Sequence, residues 1–122
     1  MRVLIVDDYE DIATALEMML TAAGHKVRTA LTGQDAVAIA ESFEPELAIV
    51  DIQLPDTTGY ALAKKLRTAA RRRLHIIGIT GSTQPNLPYA GVFDEHAYKP
   101  VTAAHLYQMI HTAQERLDHV EP

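Results

Sequence analysis

The chain has 122 residues, 48% of them hydrophobic and 22% charged, the balance of one ordinary globular domain with a single core. Its formal charge of −5 with histidine neutral argues against a groove-binding nucleic-acid protein, which needs a basic face. The lack of cysteine excludes a disulfide frame, a thiolate metal site and a cysteine nucleophile, and it fits a reducing, cytoplasmic setting. No signal peptide is expected behind Met1-Arg2, and no apolar run approaches the ~20 residues that span a membrane.

The apolar period switches repeatedly between strand and helix. Residues 2–6, with the run Val3-Leu4-Ile5-Val6, read as strand 1, and Asp7-Asp8 end it. Residues 10–23 carry Ile12, Leu16, Met19, Leu20 and Ala23 as a helical stripe, with Gly24 as its stop. Residues 26–30 make strand 2. Thr32 caps a helix over 33–42 whose inward face is Ala36, Val37 and Ala40. Pro45 breaks the chain before strand 3 at 47–51, and Asp51 ends that strand. The turn-rich segment Ile52 to Gly59 is a loop. A helix follows over 59–70 with Leu62, Ala63 and Leu66 inward, and Arg71-Arg72-Arg73 sit at its C-terminus, where cations favour the macrodipole. Strand 4 is 75–79, ending at Thr80, and strand 5 is 94–98. Thr102 caps the last helix, 103–118, with Leu106, Met109, Ile110, Ala113 and Leu117 on one stripe. The alternation predicts an α/β domain with a parallel sheet covered on both faces, running over residues 1–122 with no linker, repeat or second domain.

Short, β-branched apolar runs of this kind are buried strands of a parallel sheet. Ligands bind at the carboxyl ends of such strands. Asp7 and Asp8 follow strand 1, Asp51 strand 3, Thr80 strand 4 and Lys99 strand 5, so right-handed connections bring all of them to one edge. Three carboxylates packed together repel one another. A hard dication such as Mg²⁺ (or Mn²⁺), which prefers oxygen ligands and keeps several waters, relieves that, as does Lys99. An Asp carboxylate can also act as a nucleophile and carry an aspartyl-phosphate. Phosphoryl transfer needs little beyond positioning and charge neutralisation; Lys99 and the cation supply the charge, and Thr80 a hydrogen bond.

With Asp7-Asp8, Asp51, the Leu54-Pro55…Gly59 loop, Thr80 and Lys99-Pro100 in this order, the chain resembles a response-regulator receiver domain of two-component signalling over essentially its whole length. The resemblance implies a doubly wound, flavodoxin-like, five-stranded sheet in the order 2-1-3-4-5. It implies that Asp51 accepts phosphate from the phosphohistidine of a histidine kinase or histidine phosphotransfer domain. It further implies that Asp8, Asp51 and the backbone carbonyl of Gln53 hold Mg²⁺, with Asp7 helping directly or through water. Lys99 pairs with Asp51 or the phosphate, Thr80 shifts to bond the phosphoryl group, and the Lys99-Pro100 peptide is cis. Such a module is a self-phosphorylating and self-dephosphorylating switch, not a turnover enzyme. It signals to a downstream protein partner by contact, without direct nucleic-acid binding or membrane insertion. Gln53 and Ser82 fall where the family tunes dephosphorylation.

His96 lies three residues before Lys99, where the family often carries a Tyr or Phe that turns inward on activation. Tyr98 shares its strand face and is a rival for partner contact. The other histidines, residues 25, 75, 105, 111 and 119, have no metal-ligand spacing and read as structural or surface residues. The Arg71–Arg73 run reads as a solvated cap.

The segment from Gly81 to Tyr98 departs from the family. It holds Pro85 and Pro88 with Gly81 and Gly91 where receivers place a full fourth helix, and a proline inside a helix costs ~3 kcal/mol. Only about six residues, 86–91, remain able to wind, so that helix is expected to be shortened, reshaped or missing, and the usual output surface to be altered. Two alternatives fit less well. An aspartate-nucleophile phosphatase of the haloacid dehalogenase type needs a second Asp where Gln53 stands. A flavodoxin-like nucleotide or FMN binder needs a phosphate-cradling loop where Asp7-Asp8-Tyr9-Glu10 would repel phosphate.

Overall fold

The computed structural model of the protein describes residues 1–71, 73–81 and 90–118. Three strands, β1 (Arg2–Val6), β3 (Leu47–Asp51) and β4 (His75–Thr80), are buried along their length apart from Arg2. Their continuous apolar runs follow from helices covering both faces. The edge strands β2 (Lys26–Ala30) and β5 (Glu95–Tyr98) are only partly buried, and their mixed sequences reflect it. All pairings are parallel, and the order is β2-β1-β3-β4-β5, as the resemblance implies.

The two-residue alternation of each strand sorts its side chains into two cores. Val3, Ile5, Leu47, Ile49, Ile77, Ile79 and Ala97 face α1 (Glu10–Ala22) and α4 (Ala103–Asp118). Leu4, Val6, Ala48, Val50 and Ile76 face α2 (Gly33–Phe43) and α3 (Gly59–Ala69). Phe93 completes the second core. It rests on Gly78, where an added Cβ would stand 3.0 Å from the ring.

Each of the three later helices starts on a threonine whose hydroxyl accepts the third amide of the first turn: Thr32 from Asp35, Thr58 from Ala61 and Thr102 from His105. A cap of this kind contributes about 1 kcal/mol. Thr58 lies in the segment read only as loop. Helix α1 closes on Gly24 (φ 96°) in a Schellman arrangement, with His25 N–H to the Leu20 carbonyl and Gly24 N–H to that of Thr21.

Element boundaries fall within one residue of those expected, but one expectation of detail fails. Ala23 is exposed, because α1 ends at Ala22 and Gly24 turns the chain away; Ala13 is buried instead. The cation in the last turn of α3 is Arg67, and Arg71 and Arg73 are exposed beyond the helix end; Arg72 lies outside the described residues. The proline-bearing segment 82–89, with Ser82, and the tail containing His119 also lie outside them. Among the described residues the helical structure between β4 and β5 is a single 3-10 turn, Ala90–Val92. No helix there is long and apolar enough to cross a membrane.

At the amino-terminal edge of the sheet sits an ion network. The buried His75 ring meets Glu95 Oε2 at 3.0 Å through Nε2 and Asp94 Oδ2 at 4.0 Å through Nδ1. Asp94 also receives Arg67 at 2.8 Å, Arg116 at 3.3 Å and the Ile76 amide at 2.8 Å. Arg67 spends its other donors on the carbonyls of Val92 and Leu74. The network therefore ties α3, β4, β5 and α4 together at the edge remote from the three aspartates.

Candidate phosphoacceptor site

At the opposite edge the strand ends bring Asp7, Asp8 and Asp51 together. A carboxylate oxygen from each lies within 4.8 Å of the others. Asp7 and Asp51 are buried and Asp8 is exposed. Lys99 bridges the two buried acids, with Nζ 3.1 Å from Asp51 Oδ2 and 3.5 Å from Asp7 Oδ2. The remaining oxygens take local amides: Asp51 Oδ1 from Gln53 at 3.0 Å and Asp7 Oδ1 from Tyr9 at 2.9 Å. Both carboxylates are thus oriented by the turn that follows their own strand.

The charges do not balance. Three carboxylates face one ammonium. Burial pushes the Asp7 carboxyl up, and the charge of Asp51 adds to that; the Tyr9 amide and Lys99 oppose it without winning. Burial alone would lower Lys99, but its hydrogen bonds and charge interactions with Asp51 and Asp7 outweigh it and hold the ammonium above its usual range. An oxygen-only donor set with surplus negative charge suits a hard dication, and Asp7, Asp8 and Asp51 are the group placed to hold one among the described residues.

Thr80 is buried at the end of β4, and its carbonyl accepts the Lys99 amide at 2.8 Å, so hydroxyl and ammonium are carried on adjacent strand ends. The Lys99-Pro100 peptide is cis. Gln53 is held by its bond to Asp51 and by an antiparallel bridge to Thr58. Gly59 closes that loop: a Cβ there would stand 2.6 Å from Ile52 Cα and 2.8 Å from the Asp51 carbonyl oxygen, so only glycine fits.

His96 is half-buried on β5, its ring edge-on to Phe93 with centroids 5.2 Å apart, and its Nε2 is buried without a partner among the described residues. Tyr98, opposite Thr80 in the β4–β5 register, is 44% exposed. Neither touches the carboxylates in the described contacts. Sequence reasoning passed over Asp56, whose carboxylate accepts the amides of Gly33 at 2.9 Å and Gln34 at 3.0 Å. No local pattern could have revealed it, because its partners lie across the sheet edge.

Fold and site together define a doubly wound α/β domain with an acid–lysine pocket at the carboxyl edge of its sheet. The family model for the response regulator receiver domain matches residues 3–111, and the chain belongs to that family, the receivers of two-component signalling. It is 32% identical to the transcriptional regulatory protein AfsQ1 of Streptomyces coelicolor over 101 residues, covering 80% of this chain and 44% of that protein. The chain spans about half the length of the curated relatives it matches first. Among solved structures it resembles a CheY-like receiver domain from Methanospirillum hungatei, with 31% identity and TM-score 0.83 over 96% of this chain and 93% of that one. It also resembles the response regulator TrrA of Thermotoga maritima in complex with Mg²⁺-BeF, with 26% identity and TM-score 0.82 over 92% and 97%.

Proposed function

We propose that this receiver domain, residues 1–122, takes a phosphoryl group on Asp51 in a Mg²⁺-dependent reaction and passes the signal on by protein contact. The observation that carries the reading is the buried Asp51 carboxylate, paired with Lys99 at 3.1 Å and grouped with Asp7 and Asp8.

In the reaction an Asp51 oxygen attacks the phosphorus of a phosphohistidine on a histidine kinase or histidine phosphotransfer domain. A P–O bond forms as the P–N bond breaks, and the imidazole nitrogen keeps the bonding pair. Lys99 is placed to follow the charge from the Asp51 carboxylate to the phosphoryl oxygens, and Thr80 to donate its hydroxyl to one of them. Asp7 and Asp8, with Asp51 and the Gln53 carbonyl, would hold Mg²⁺ (or Mn²⁺), which when bound neutralises charge on the transferring group. An apolar groove of 630 Å³ that includes Ile12, Ala15, Met19, Pro100 and Val101 opens beside Asp7 and Lys99, a fitting seat for the phosphohistidine-bearing partner in the cytoplasm. His96 and Tyr98 on β5 are the candidate switch residues. The domain acts as a switch and not as a turnover enzyme.

Incubation with acetyl phosphate and Mg²⁺, read by intact mass, tests the reading. The wild type gains one phosphoryl group and Asp51→Asn gains none. Equal uptake by both, or none by either, refutes it.

A further inference from the structure

We propose that Asp56 is a positioning residue for the cation site: it ties the tip of the 52–58 loop to the first turn of α2 and so holds the Gln53 carbonyl where a metal can use it. This rests on the functional reading above.

The loop has two anchors. At its base the Gln53–Thr58 bridge and the Gly59 N–H, 2.7 Å from the Ile52 carbonyl oxygen, fasten it to the end of β3. At its tip the Asp56 carboxylate spans two amides, Gly33 with Oδ1 and Gln34 with Oδ2. Leu54 and Pro55 lie between the anchors, and the Gln53 carbonyl belongs to the peptide that begins that stretch.

The first turn of α2 shows that this is more than a cap. Thr32 already serves it, with its hydroxyl taking the Asp35 amide and its carbonyl the Ala36 amide. The two amides left over are taken by an acid 22 and 23 residues downstream, on the loop that leaves Asp51. The approach is close: a Cβ at Gly33 would stand 2.5 Å from Thr57 Cγ2 and 3.4 Å from Asp56 Oδ1. The two amides, Gly33 first, also hold the Asp56 carboxyl below its ordinary range, so the tether stays anionic under neutral conditions. Without it the loop is held at its base alone, and the Gln53–Leu54 peptide, which carries the Gln53 carbonyl toward the freed tip, can rotate. Losing a group that orients a metal ligand from behind typically costs roughly 10–100-fold in metal affinity.

The test is Mg²⁺ binding by calorimetry on wild type, Asp56→Ala, Asp56→Asn and Thr32→Ala, with thermal melts recorded without metal. Asp56→Ala weakens Mg²⁺ about tenfold. Asp56→Asn weakens it less, because its amide oxygen still accepts one N–H. Thr32→Ala, which loosens the same helix end without cutting the tether, lowers the melting temperature and leaves Mg²⁺ affinity unchanged. Wild-type Mg²⁺ affinity in Asp56→Ala, or an equal loss in Thr32→Ala, overturns the positioning role while leaving the site itself intact. Failure of the wild type to bind Mg²⁺ overturns the functional reading, and this proposal with it.

Discussion

Removing a charge from the aspartate pocket should stabilise the metal-free protein. In Asp7→Asn the pocket loses an attraction to Lys99 at 3.5 Å, about 4.7 kcal/mol at an effective dielectric of 20. It also loses a repulsion from Asp51 within 4.8 Å, about 3.5 kcal/mol on the same scale. Exposed Asp8 adds a smaller, screened repulsion. The Coulomb terms therefore nearly cancel, and the cost of burying the Asp7 carboxylate decides the sign. That cost is the first cause of its raised pKa and amounts to several kcal/mol per ion before compensation. The asparagine oxygen can still accept the Tyr9 amide. The expected net gain is about 1–2 kcal/mol, a rise in melting temperature of roughly 4–8 °C for a chain of this size. Mg²⁺ reverses the order: at a hundred times Kd it stabilises the wild type by about 2.7 kcal/mol and the weakened variant by less. Melting curves with and without Mg²⁺ check both halves. A metal-free Asp7→Asn that melts below the wild type would refute the account of an overcharged pocket.

Three further outcomes follow from the frame. Asp94→Asn should cost about 2–3 kcal/mol in urea unfolding at neutral pH, because Arg67 and Arg116 lose their charge partner. Burial works to raise Asp94, but the Arg67 and Ile76 hydrogen bonds and the Arg67 and His75 charges together leave its pKa lowered from 3.8. Its contribution is therefore complete above that value and fades as pH falls below it through the folded-state pKa, so wild type and Asp94→Asn should converge in acid; a constant gap down the titration would contradict this. Gly78→Ala should lose about 1 kcal/mol in the same assay, since the new methyl forces Phe93 to yield from 3.0 Å; unchanged stability would show the ring free to move. Glu44 ends α2 at φ 50°, and Glu44→Gly should release about 1–2 kcal/mol of left-handed strain against roughly 0.4–1 kcal/mol of added chain entropy. A higher melting temperature is expected, and a lower one would contradict the strain.

The reasons some features were legible and others were not lie in the range of the forces involved. Strands and helices announce themselves because each carries its own apolar period, and Thr32, Gly24 and Thr102 mark their ends within one or two residues. The acids at 7, 8 and 51 and Lys99 could be grouped because parallel topology sends every strand end to the same edge. Asp56, His75, Asp94 and Arg67 could not, because their partners are set by which loops and helix ends meet across the sheet. His75 reads as an ordinary strand residue until β5 places Glu95 beside it. Ala13 and Ala23 were confused because alanine gives little contrast in a helical stripe.

The central claim is that Asp51 carries the phosphoryl group, and trapping the acyl phosphate tests it most directly. Borohydride reduces a phosphorylated aspartate to homoserine with loss of phosphate, leaving a permanent mark on the chain. After phosphorylation with Mg²⁺ present, peptide mapping should find homoserine at position 51 and aspartate at positions 7 and 8. Homoserine at 7 or 8, or an unmarked residue 51 in protein that has gained a phosphoryl group, would contradict the account.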